Sequence, residues 1–322
     1  MTLRVAVQMD PLENINIAGD SSFALMLSAQ ARGHELWHYD VTSLAYESEG
    51  TPHGRITAHA APVTVQREAG NHFSAGERRR IDLAQDIDVI LMRQDPPFHL
   101  GYISAALLLD RLKGKTLVAN DPREVVNAPE KMFVLDYAQY MPPTLVARHV
   151  DDLRAFQKKH GSVVVKPLHG NGGKAIFRID ESGTNLSALS EVFDQTWPEP
   201  HMVQPFLPEV SEGDKRIVLV DGEFAGAINR FPGEGEFRSN LAQGGHAEAT
   251  TLTEREEEIC AAMGPELKRR GLVFVGIDVI GGKWLTEINV TSPTGIVAID
   301  KFNGTDTAGL IWDAIERRHA AM

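Results

Sequence analysis

The first third of the sequence alternates strand patterns with helix patterns, and this rhythm limits the folds that the chain can adopt. Residues 3–8 form a short, mostly apolar strand pattern, and residues 87–92 form an apolar run typical of a buried parallel strand. Helix patterns cover 21–30, where Asp20 or Ser21 supplies an N-cap, and 102–112. Because strands that alternate with helices form parallel sheets covered on their faces, we expect an open parallel α/β sheet here.

The pattern changes after the Asn-Asp-Pro sequence at 120–122. Two pairs of apolar runs then flank Asp-Gly at 221–222 and Gly-Gly at 281–282, and such dipeptides between strands are typical of β-hairpins. We therefore expect an α+β region with antiparallel strands, and we place a domain boundary between residues 123 and 124. Residues 55–67 alternate weakly around Pro62 and are compatible with a further hairpin.

Composition excludes several functional classes. The chain carries 32 Lys and Arg against 44 Asp and Glu, a net charge of −12, which argues against binding to a phosphate backbone. The single Cys260 excludes an intramolecular disulfide and a cysteine-based zinc site, and it fits a reducing compartment. With no signal-peptide pattern and no apolar stretch near the roughly 18 residues of a span, we expect a cytoplasmic protein with neither nucleic-acid nor membrane partners.

The last two predicted strands carry three oxygen-bearing side chains. Glu287 and Asn289 are two residues apart on one strand, so they share a face, and a hairpin at 281–282 brings Asp278 to the same face. Hard oxygen ligands suit Mg²⁺, which takes its other ligands from water and phosphate. The alternative is that Glu287 and Asn289 belong to a solvated strand face, but Asp278 lies within an apolar run where an unpaired charge is costly.

A glycine-rich segment, KPLHGNGG, follows an apolar strand that ends in Lys166. Its glycines Gly170, Gly172 and Gly173 allow backbone N–H groups to approach phosphate oxygens. The segment has no Walker A spacing, and a strand pattern rather than a helix follows Ala175, which excludes the dinucleotide fingerprint. A strand–loop–strand unit over a nucleotide is the functional interpretation, and an ordinary glycine turn is the alternative.

Other candidate residues are weaker when taken singly. Lys131 begins a helix pattern, where a lysine is usually solvated, and the apolar run 202–207 is either a core strand or the wall of an adenine site. In that run Pro205 lacks an N–H group, so a backbone donor to adenine has to come from Phe206 or Leu207.

Arginines suited to carboxylate binding form a further set of candidates. Arg216 and Arg230 lie at strand positions, and Arg238 lies in a glycine-rich segment. Arg93 and Asp95 follow the strand 87–92, at the strand end where α/β sheets bind ligands. We find no convincing nucleophile, because Cys260 has no histidine near it in the sequence.

The order of these motifs resembles that of the ATP-grasp superfamily, whose two α+β lobes hold ATP between them. The resemblance extends to the bacterial glutathione synthetase family, because MDPLENINIAGDSSF, MRQDPPF, KPLHGNGG, SNLAQGGHAE and INVTSPTGI are similar to segments of that family in the same order. The resemblance covers nearly the whole chain. It implies an N-terminal α/β domain over 1–123 and a two-lobed ATP-grasp domain over 124–322, with a small lid lobe at about 132–203.

The resemblance also implies a reaction and a set of site residues. The implied reaction is ATP-dependent ligation of γ-glutamylcysteine to glycine through an acyl phosphate, with Mg²⁺ or Mn²⁺ as the metal. The matching positions are Lys131, Lys166, Gly170, Gly172 and Gly173 for the ATP phosphates, Gln204, Phe206 and Leu207 for adenine, Asp214 for ribose, Asp278, Glu287 and Asn289 for the metal, Arg216 and Arg230 as catalytic residues, and Arg93, Asp95, Arg238, Asn240, Thr291 and Ser292 for the peptide substrates.

Several expectations about assembly and alternatives accompany this interpretation. The family resemblance implies a homo-oligomer, often a tetramer. Residues 231–245 and the glycine-rich segment are expected to become ordered when substrates bind, because an acyl phosphate needs protection from water. The alternatives are another ATP-grasp ligase of the D-alanine–D-alanine or glutamate ligase type, an inactive nucleotide sensor, and a nicotinamide-dependent dehydrogenase built on the first third of the chain.

Overall fold

The computed structural model describes residues 2–49, 54–239 and 245–322, whose strands form three sheets. The N-terminal sheet contains β1 (Arg4–Gln8), β2 (Glu35–Tyr39), β3 (Ala45–Glu47), β4 (Arg55–Val65), β5 (Phe73–Ala75), β6 (Arg79–Asp82), β7 (Val89–Met92) and β8 (Leu117–Ala119). Strands β2, β1, β7 and β8 are parallel neighbours in that order, which confirms the predicted open α/β sheet.

Helices connect the parallel strands as the pattern predicts. Helix α1 (Ser21–Ala31) joins β1 to β2, and the side chain of Asp20 caps it by accepting a 2.6 Å hydrogen bond from the Phe23 N–H group. Helix α2 (Leu100–Leu109) joins β7 to β8. The hairpin expected within 55–67 is wrong, because β4 is one continuous strand. Its first half pairs with β3 and β6, and its second half pairs with β2 and β5.

A small antiparallel sheet follows, with the strand order β11-β10-β12-β9. Its strands are β9 (Leu145–Ala147), β10 (Val163–Pro167), β11 (Phe177–Ile179) and β12 (His201–Pro205). Helices α5 (Val150–His160) and α6 (Leu186–Thr196) cover it, and Leu153, Val163 and Phe193 belong to its own hydrophobic cluster. The small sheet is therefore a separate packing unit, joined to the N-terminal sheet through α3 (Pro122–Val126) and α4 (Glu130–Phe133).

A larger antiparallel sheet forms the floor of the site. It contains β13 (Asp214–Val220), β14 (Glu223–Phe231), β15 (His246–Ala249), β16 (Phe274–Ile280) and β17 (Trp284–Asn289), in the order β15-β14-β13-β16-β17. Both predicted hairpins are confirmed: the turns at 221–222 and 281–282 have φ angles of +51°, +85°, +62° and +66°, as type I′ turns require.

The remaining helices pack this sheet against the rest of the molecule. They are α7 (Glu254–Arg269), which begins with a capping box at Thr253 and Glu256, α8 (Ile296–Asn303) and α9 (Thr307–Ala320). Trp312 of α9 is fully buried and donates a 2.8 Å hydrogen bond to the carbonyl oxygen of Leu25 in α1. Across the described ranges, we find no helix with the length and apolar character needed to cross a membrane.

Candidate active site

A cleft with about 690 Å³ of space, partly open to solvent, lies between the small sheet and the large sheet. Its walls comprise Val164, Lys166, Gly173, Ile176, Gln204, Pro205, Phe206, Leu207, Val210, Asp214, Phe237, Arg238, Ser239, Asp278, Ile280, Thr286 and Glu287. Nine of these wall residues were predicted from the sequence as site residues, so the cleft is the candidate active site.

The hairpin of β16 and β17 brings the predicted metal ligands together. Asp278 pairs with Glu287 in the strand register, and Asn289, two residues further along, shares the face of Glu287. The Asn289 amide donates to Asp278 Oδ2 at 3.4 Å. Three side chains with oxygen atoms therefore lie on one sheet face, as the sequence predicted.

Two arginines hold Asp278 on this face. Arg216 of β13 lies opposite Asp278 and binds both of its carboxylate oxygens, at 2.5 and 2.9 Å. Arg230 of β14 lies 3.0 Å from Asp278 Oδ1 and 2.8 Å from Asp214 Oδ2. Burial alone raises the pKa of Asp278, but the two guanidinium groups outweigh it and hold this pKa below its usual value.

Asp214 has a different electrostatic environment on the same face. One of its carboxylate oxygens, Oδ2, accepts a hydrogen bond from Arg230, and the other, Oδ1, is buried without a hydrogen-bond partner among the described residues. Burial raises the pKa of Asp214 to about 6, and the nearby Asp278 carboxylate adds to this while Arg230 opposes it. An unpartnered buried oxygen at the cleft wall is positioned to accept a hydrogen bond from a ligand hydroxyl.

The two predicted phosphate-binding lysines differ in their contacts. Lys131 of α4 donates to Glu130 and, at 3.0 Å, to the carbonyl oxygen of Gly170, and it lies 3.3 Å from Glu287. Lys166 of β10 lines the cleft, its ammonium group makes no hydrogen bond or ion pair with the residues that the structure describes, and burial lowers its pKa. A buried ammonium without a carboxylate partner favours an anionic ligand.

Glu130 is a site residue that the sequence reasoning missed. It pairs with Lys131 and hydrogen-bonds with Glu287, and burial together with the Glu287 charge raises its pKa to about 8. An acid next to a lysine at a helix start usually marks a solvated surface pair, so the sequence offered no signal for its burial. Ser239 and Thr286, which also line the cleft, were not predicted as site residues.

The glycine loop (residues 168–176) connects β10 to β11, which confirms the strand–loop–strand prediction. Gly172 and Gly173 have φ angles of +59° and +73°, a region that favours glycine. Arg238 donates a 3.0 Å hydrogen bond to the Gly173 carbonyl oxygen. The loop is therefore tied to the cleft through Arg238 on one side and Lys131 on the other.

The predicted adenine strand ends at the cleft. The Gln204 amide donates to Thr144 Oγ1 at 3.0 Å, which orients this buried side chain. The Phe206 N–H group already donates to the Ser162 carbonyl oxygen at 2.9 Å, so Leu207 is left as the backbone donor of the two that the sequence proposed. Both residues line the cleft.

The candidates from the first third lie beside the segment that follows β17. Arg93 is buried and donates to Ser22 Oγ and to the Pro293 carbonyl oxygen, both at 2.9 Å. Ser292 Oγ donates to the Gln94 carbonyl oxygen at 3.1 Å. Arg93 thus connects the N-terminal sheet to residues 291–294. In the same segment, the carbonyl oxygen of Thr294 accepts a 3.2 Å hydrogen bond from Arg216.

Two more predicted substrate residues border this junction. Thr291 is half-buried and lies two residues after the end of β17. The Asp95 N–H group donates to Asp10 Oδ2 at 3.3 Å, and burial, with a further contribution from Asp10, raises the pKa of the Asp95 carboxyl. The predicted substrate residue Asn240 lies outside the described residues, as does part of the predicted ordering segment 231–245.

Comparison with known proteins places this geometry in a family. Residues 3–125 match the family model "Prokaryotic glutathione synthetase, N-terminal domain", and residues 130–304 match "Prokaryotic glutathione synthetase, ATP-grasp domain". A protein of Rhodopseudomonas palustris named glutathione synthetase is 53% identical over 320 residues, covering 99% of this chain and 100% of the relative. Relatives of the same name from Brucella melitensis and Yersinia pestis are 48% and 43% identical over 99% of this chain.

Solved structures support the fold alone, because their sequences are distant. The D-cycloserine synthetase DcsG aligns with a TM-score of 0.68 at 17% identity, covering 98% of this chain and 99% of that one. A RimK domain ATP-grasp protein of Sphaerobacter thermophilus aligns with a TM-score of 0.63 at 19% identity, covering 96% of this chain and 98% of that one. The fold class is therefore the predicted ATP-grasp architecture with an N-terminal α/β sheet. With two family models along the chain and relatives matched over their full length, the chain belongs to the prokaryotic glutathione synthetase family.

Proposed function

We propose that the cleft catalyses ATP-dependent ligation of γ-glutamylcysteine to glycine, giving glutathione, ADP and phosphate. The observation that carries this proposal is that Lys166, whose buried ammonium has no partner among the described residues, faces a row of acids and arginines on the large sheet, in a chain of this family. This arrangement suits phosphoryl transfer to a carboxylate, because such catalysis is mostly positioning and charge neutralisation.

We assign the binding of ATP to residues from several elements around the cleft. Lys166 supplies an ammonium group that lacks a partner among the described residues, and the Lys131 ammonium lies beside Glu287. The Asp214 oxygen without a partner suits a ribose hydroxyl, and the Leu207 N–H group suits adenine. Apolar wall residues such as Val164, together with Phe206, complete a cleft for a planar base.

The acidic face fits a divalent cation, for which we propose Mg²⁺ or Mn²⁺. Asp278, Glu287 and Asn289 supply hard oxygen ligands, and the described part of the chain holds no group of three acidic, histidine or cysteine side chains that makes a ready metal cage. A cation there would therefore draw further ligands from the nucleotide, as Mg²⁺ commonly does. When bound, the cation would neutralise charge on the transferring phosphoryl group.

In the proposed reaction, the carboxylate of γ-glutamylcysteine attacks the terminal phosphorus of ATP, and the bond from that phosphorus to ADP breaks, which gives an acyl phosphate and ADP. The glycine amine then attacks the acyl carbon, phosphate leaves, and the nitrogen loses a proton to give the amide. We assign Arg216 and Arg230 to the acyl centre, because their guanidinium groups are buried and held in place by Asp278 and Asp214. We assign binding of the peptide substrates to Arg238, Thr291, Ser292 and the 93–95 segment, which contains Arg93 and Asp95. The glycine loop and residues 231–239 are assigned to exclusion of water from the acyl phosphate.

The decisive experiment measures ADP and phosphate release from the purified protein with ATP, Mg²⁺, γ-glutamylcysteine and glycine, omitting each in turn. The proposal expects full release only with all four components, together with formation of the tripeptide. If ADP and phosphate are released with two D-alanine molecules, or with glutamate and a peptide acceptor, but not with γ-glutamylcysteine, the protein is another ATP-grasp ligase. ATP binding without turnover under any substrate would indicate a nucleotide sensor.

The finer organisation is part of the same proposal. We propose that the chain divides at residue 123, that residues 132–203 act as a lid lobe, and that the protein works as a cytoplasmic homo-oligomer, in the tetrameric form that the resemblance implies. The buried Cys260 thiol, whose pKa burial raises to about 12, is unsuited to disulfide exchange. Light scattering in solution tests the oligomer directly.

A further inference from the structure

Three aromatic rings connect the N-terminal sheet to the glycine loop. Phe98, in the segment between β7 and α2, lies with its ring centroid 5.4 Å from that of Tyr102 in α2. On its other side, the Phe98 ring lies 5.4 Å from the imidazole of His169, the second residue of the glycine loop. Leu168, directly before His169, is buried in the same hydrophobic cluster as Tyr102. The beginning of the loop therefore packs on the N-terminal sheet through side chains with no assigned role.

Contacts of three kinds between described residues hold the glycine loop. Lys131 donates to the Gly170 carbonyl oxygen, and Arg238 donates to the Gly173 carbonyl oxygen, each at 3.0 Å. The third kind is the ring contact of His169 with Phe98. The first two come from cations that the proposed function assigns to the nucleotide and the peptide, so bound anions compete with the loop carbonyls for them. The ring contact is apolar, and phosphate or carboxylate groups do not compete for it.

We infer that His169 and Phe98 are positioning residues that keep the glycine loop docked on the substrate side of the cleft while the two cations engage the ligands. This inference rests on the proposed function for its catalytic consequence, although the docking itself does not require turnover. Phe98 ends the segment that begins with Arg93 and Asp95, so the contact joins the loop over the nucleotide to the segment assigned to the peptide. Loop closure and peptide binding are thereby linked through one pair of rings.

The state of His169 is consistent with this packing. The side chain is half-buried, and burial lowers its pKa, with the Lys131 charge acting in the same direction and Glu199 opposing them. A neutral imidazole loses little solvation when it lies against an aromatic ring. A phenylalanine at this position keeps the ring and removes the titrating group, so His169→Phe separates ring packing from histidine chemistry.

The docking is tested by amide hydrogen exchange of the glycine loop in the ligand-free protein. His169→Ala and Phe98→Leu should speed exchange of residues 168–176 about two- to tenfold, the population change that an aromatic pair of ordinary strength supports. His169→Phe should leave it near the wild-type rate. The matched control is His160→Ala, which removes a ring pair with Phe156 (4.4 Å) in the same lobe but away from the loop.

The catalytic consequence is tested by the ratio of phosphate released to tripeptide formed. A loosely docked loop admits water to the acyl phosphate, so His169→Ala and Phe98→Leu should raise this ratio about two- to tenfold, whereas His169→Phe and His160→Ala should not. Unchanged exchange and an unchanged ratio in His169→Ala, or equal damage from His169→Phe, would overturn the inference. If the wild-type protein forms no tripeptide, the proposed function fails, and the exchange experiment still decides whether the rings dock the loop.

Discussion

At the scale of single residues, the partners of each buried charge decide its protonation. Burial favours the neutral form of both Asp214 and Asp278, but Asp278 contacts both Arg216 and Arg230, whereas the one ion pair of Asp214 among the described residues is with Arg230. The pKa of Asp278 is consequently held low, while that of Asp214 rises to about 6. Two acids on one sheet face thus differ in charge at mildly acidic pH.

Replacing Glu287 by Gln should lower turnover by about 100-fold or more and raise the Mg²⁺ concentration needed for half-maximal rate, because one negative ligand is lost from the cation site. Steady-state kinetics across a Mg²⁺ series measure both effects. The control is Glu223→Gln, an exposed acid at the start of β14 in the same sheet. Near-normal turnover of Glu287→Gln at low Mg²⁺ would remove Glu287 from the metal site.

The raised pKa of Asp214 predicts a pH dependence of folding stability. Between its usual value of 3.8 and about 6, the folded state binds this proton more tightly than the unfolded state, so stability falls as pH rises through that window. The free energy of unfolding of the wild type, relative to Asp214→Asn, should therefore drop by roughly 1–3 kcal/mol from pH 4 to pH 7. Urea unfolding at each pH checks this, and a constant difference would contradict it.

At the scale of elements, the two-residue period of the strands builds the site. Arg216 faces the cleft side with Asp278, whereas the adjacent Lys215 points to the other face, where it donates to Glu256 at 2.6 Å. The type I′ turns at 221–222 and 281–282 fix the register of these strands. A shift of one residue in either hairpin would move the charged row to the opposite face.

The turn at 222 offers a test of this dependence. Gly222 has a φ angle of +85°, and a Cβ atom there would press against the Gly264 carbonyl oxygen in α7. Gly222→Ala should therefore destabilise the fold by roughly 2–5 kcal/mol, from backbone strain plus overpacking. Gly304→Ala is the matched control, because its φ of +67° is similar. A Cβ atom at Gly304 would have no atom of the described residues within 4 Å apart from its own chain neighbours, so the loss of stability should be about 1 kcal/mol. Chemical denaturation compares the two, and equal losses would show that contact with α7 is unimportant.

At the scale of the whole molecule, buried polar contacts join the N-terminal sheet to the large sheet. The Asn120 amide donates to the carbonyl oxygens of Phe274 and Val290, at 2.7 and 2.8 Å, and its oxygen accepts a 2.8 Å hydrogen bond from the Phe274 N–H group. Arg93 makes a second junction through Pro293. These contacts hold Arg93 and its segment against the residues that follow β17.

Asn120→Ala leaves three buried backbone groups without partners and should lower the free energy of unfolding by roughly 3 kcal/mol or more. Urea unfolding followed by fluorescence and by circular dichroism measures the loss, and separate midpoints for the two signals would indicate that the sheets now unfold independently. Asn71→Ala, an exposed asparagine in the turn before β5, is the control. A loss below 1 kcal/mol would show that the junction contributes little.

Local pattern was enough to predict several parts of the molecule. The parallel strands, the two hairpins and the common face of Asp278, Glu287 and Asn289 follow from strand period and turn dipeptides, which act over a few neighbouring residues. The hairpin expected within 55–67 failed, because β4 finds different strand partners along its length. The local pattern of a strand does not show which distant strands will pair with it.

The sequence by itself determined the strand–helix order, the turn positions and the residue types available for phosphate and metal binding, because these depend on short-range periodicity and backbone geometry. Only the tertiary structure decided which charges meet. Arg216 binds Asp278 from 62 residues away and Arg93 binds Pro293 from 200 residues away, while Glu130 becomes buried against Glu287. Such contacts arise when separate elements pack, and packing sets the burial and the partners that give each group its charge.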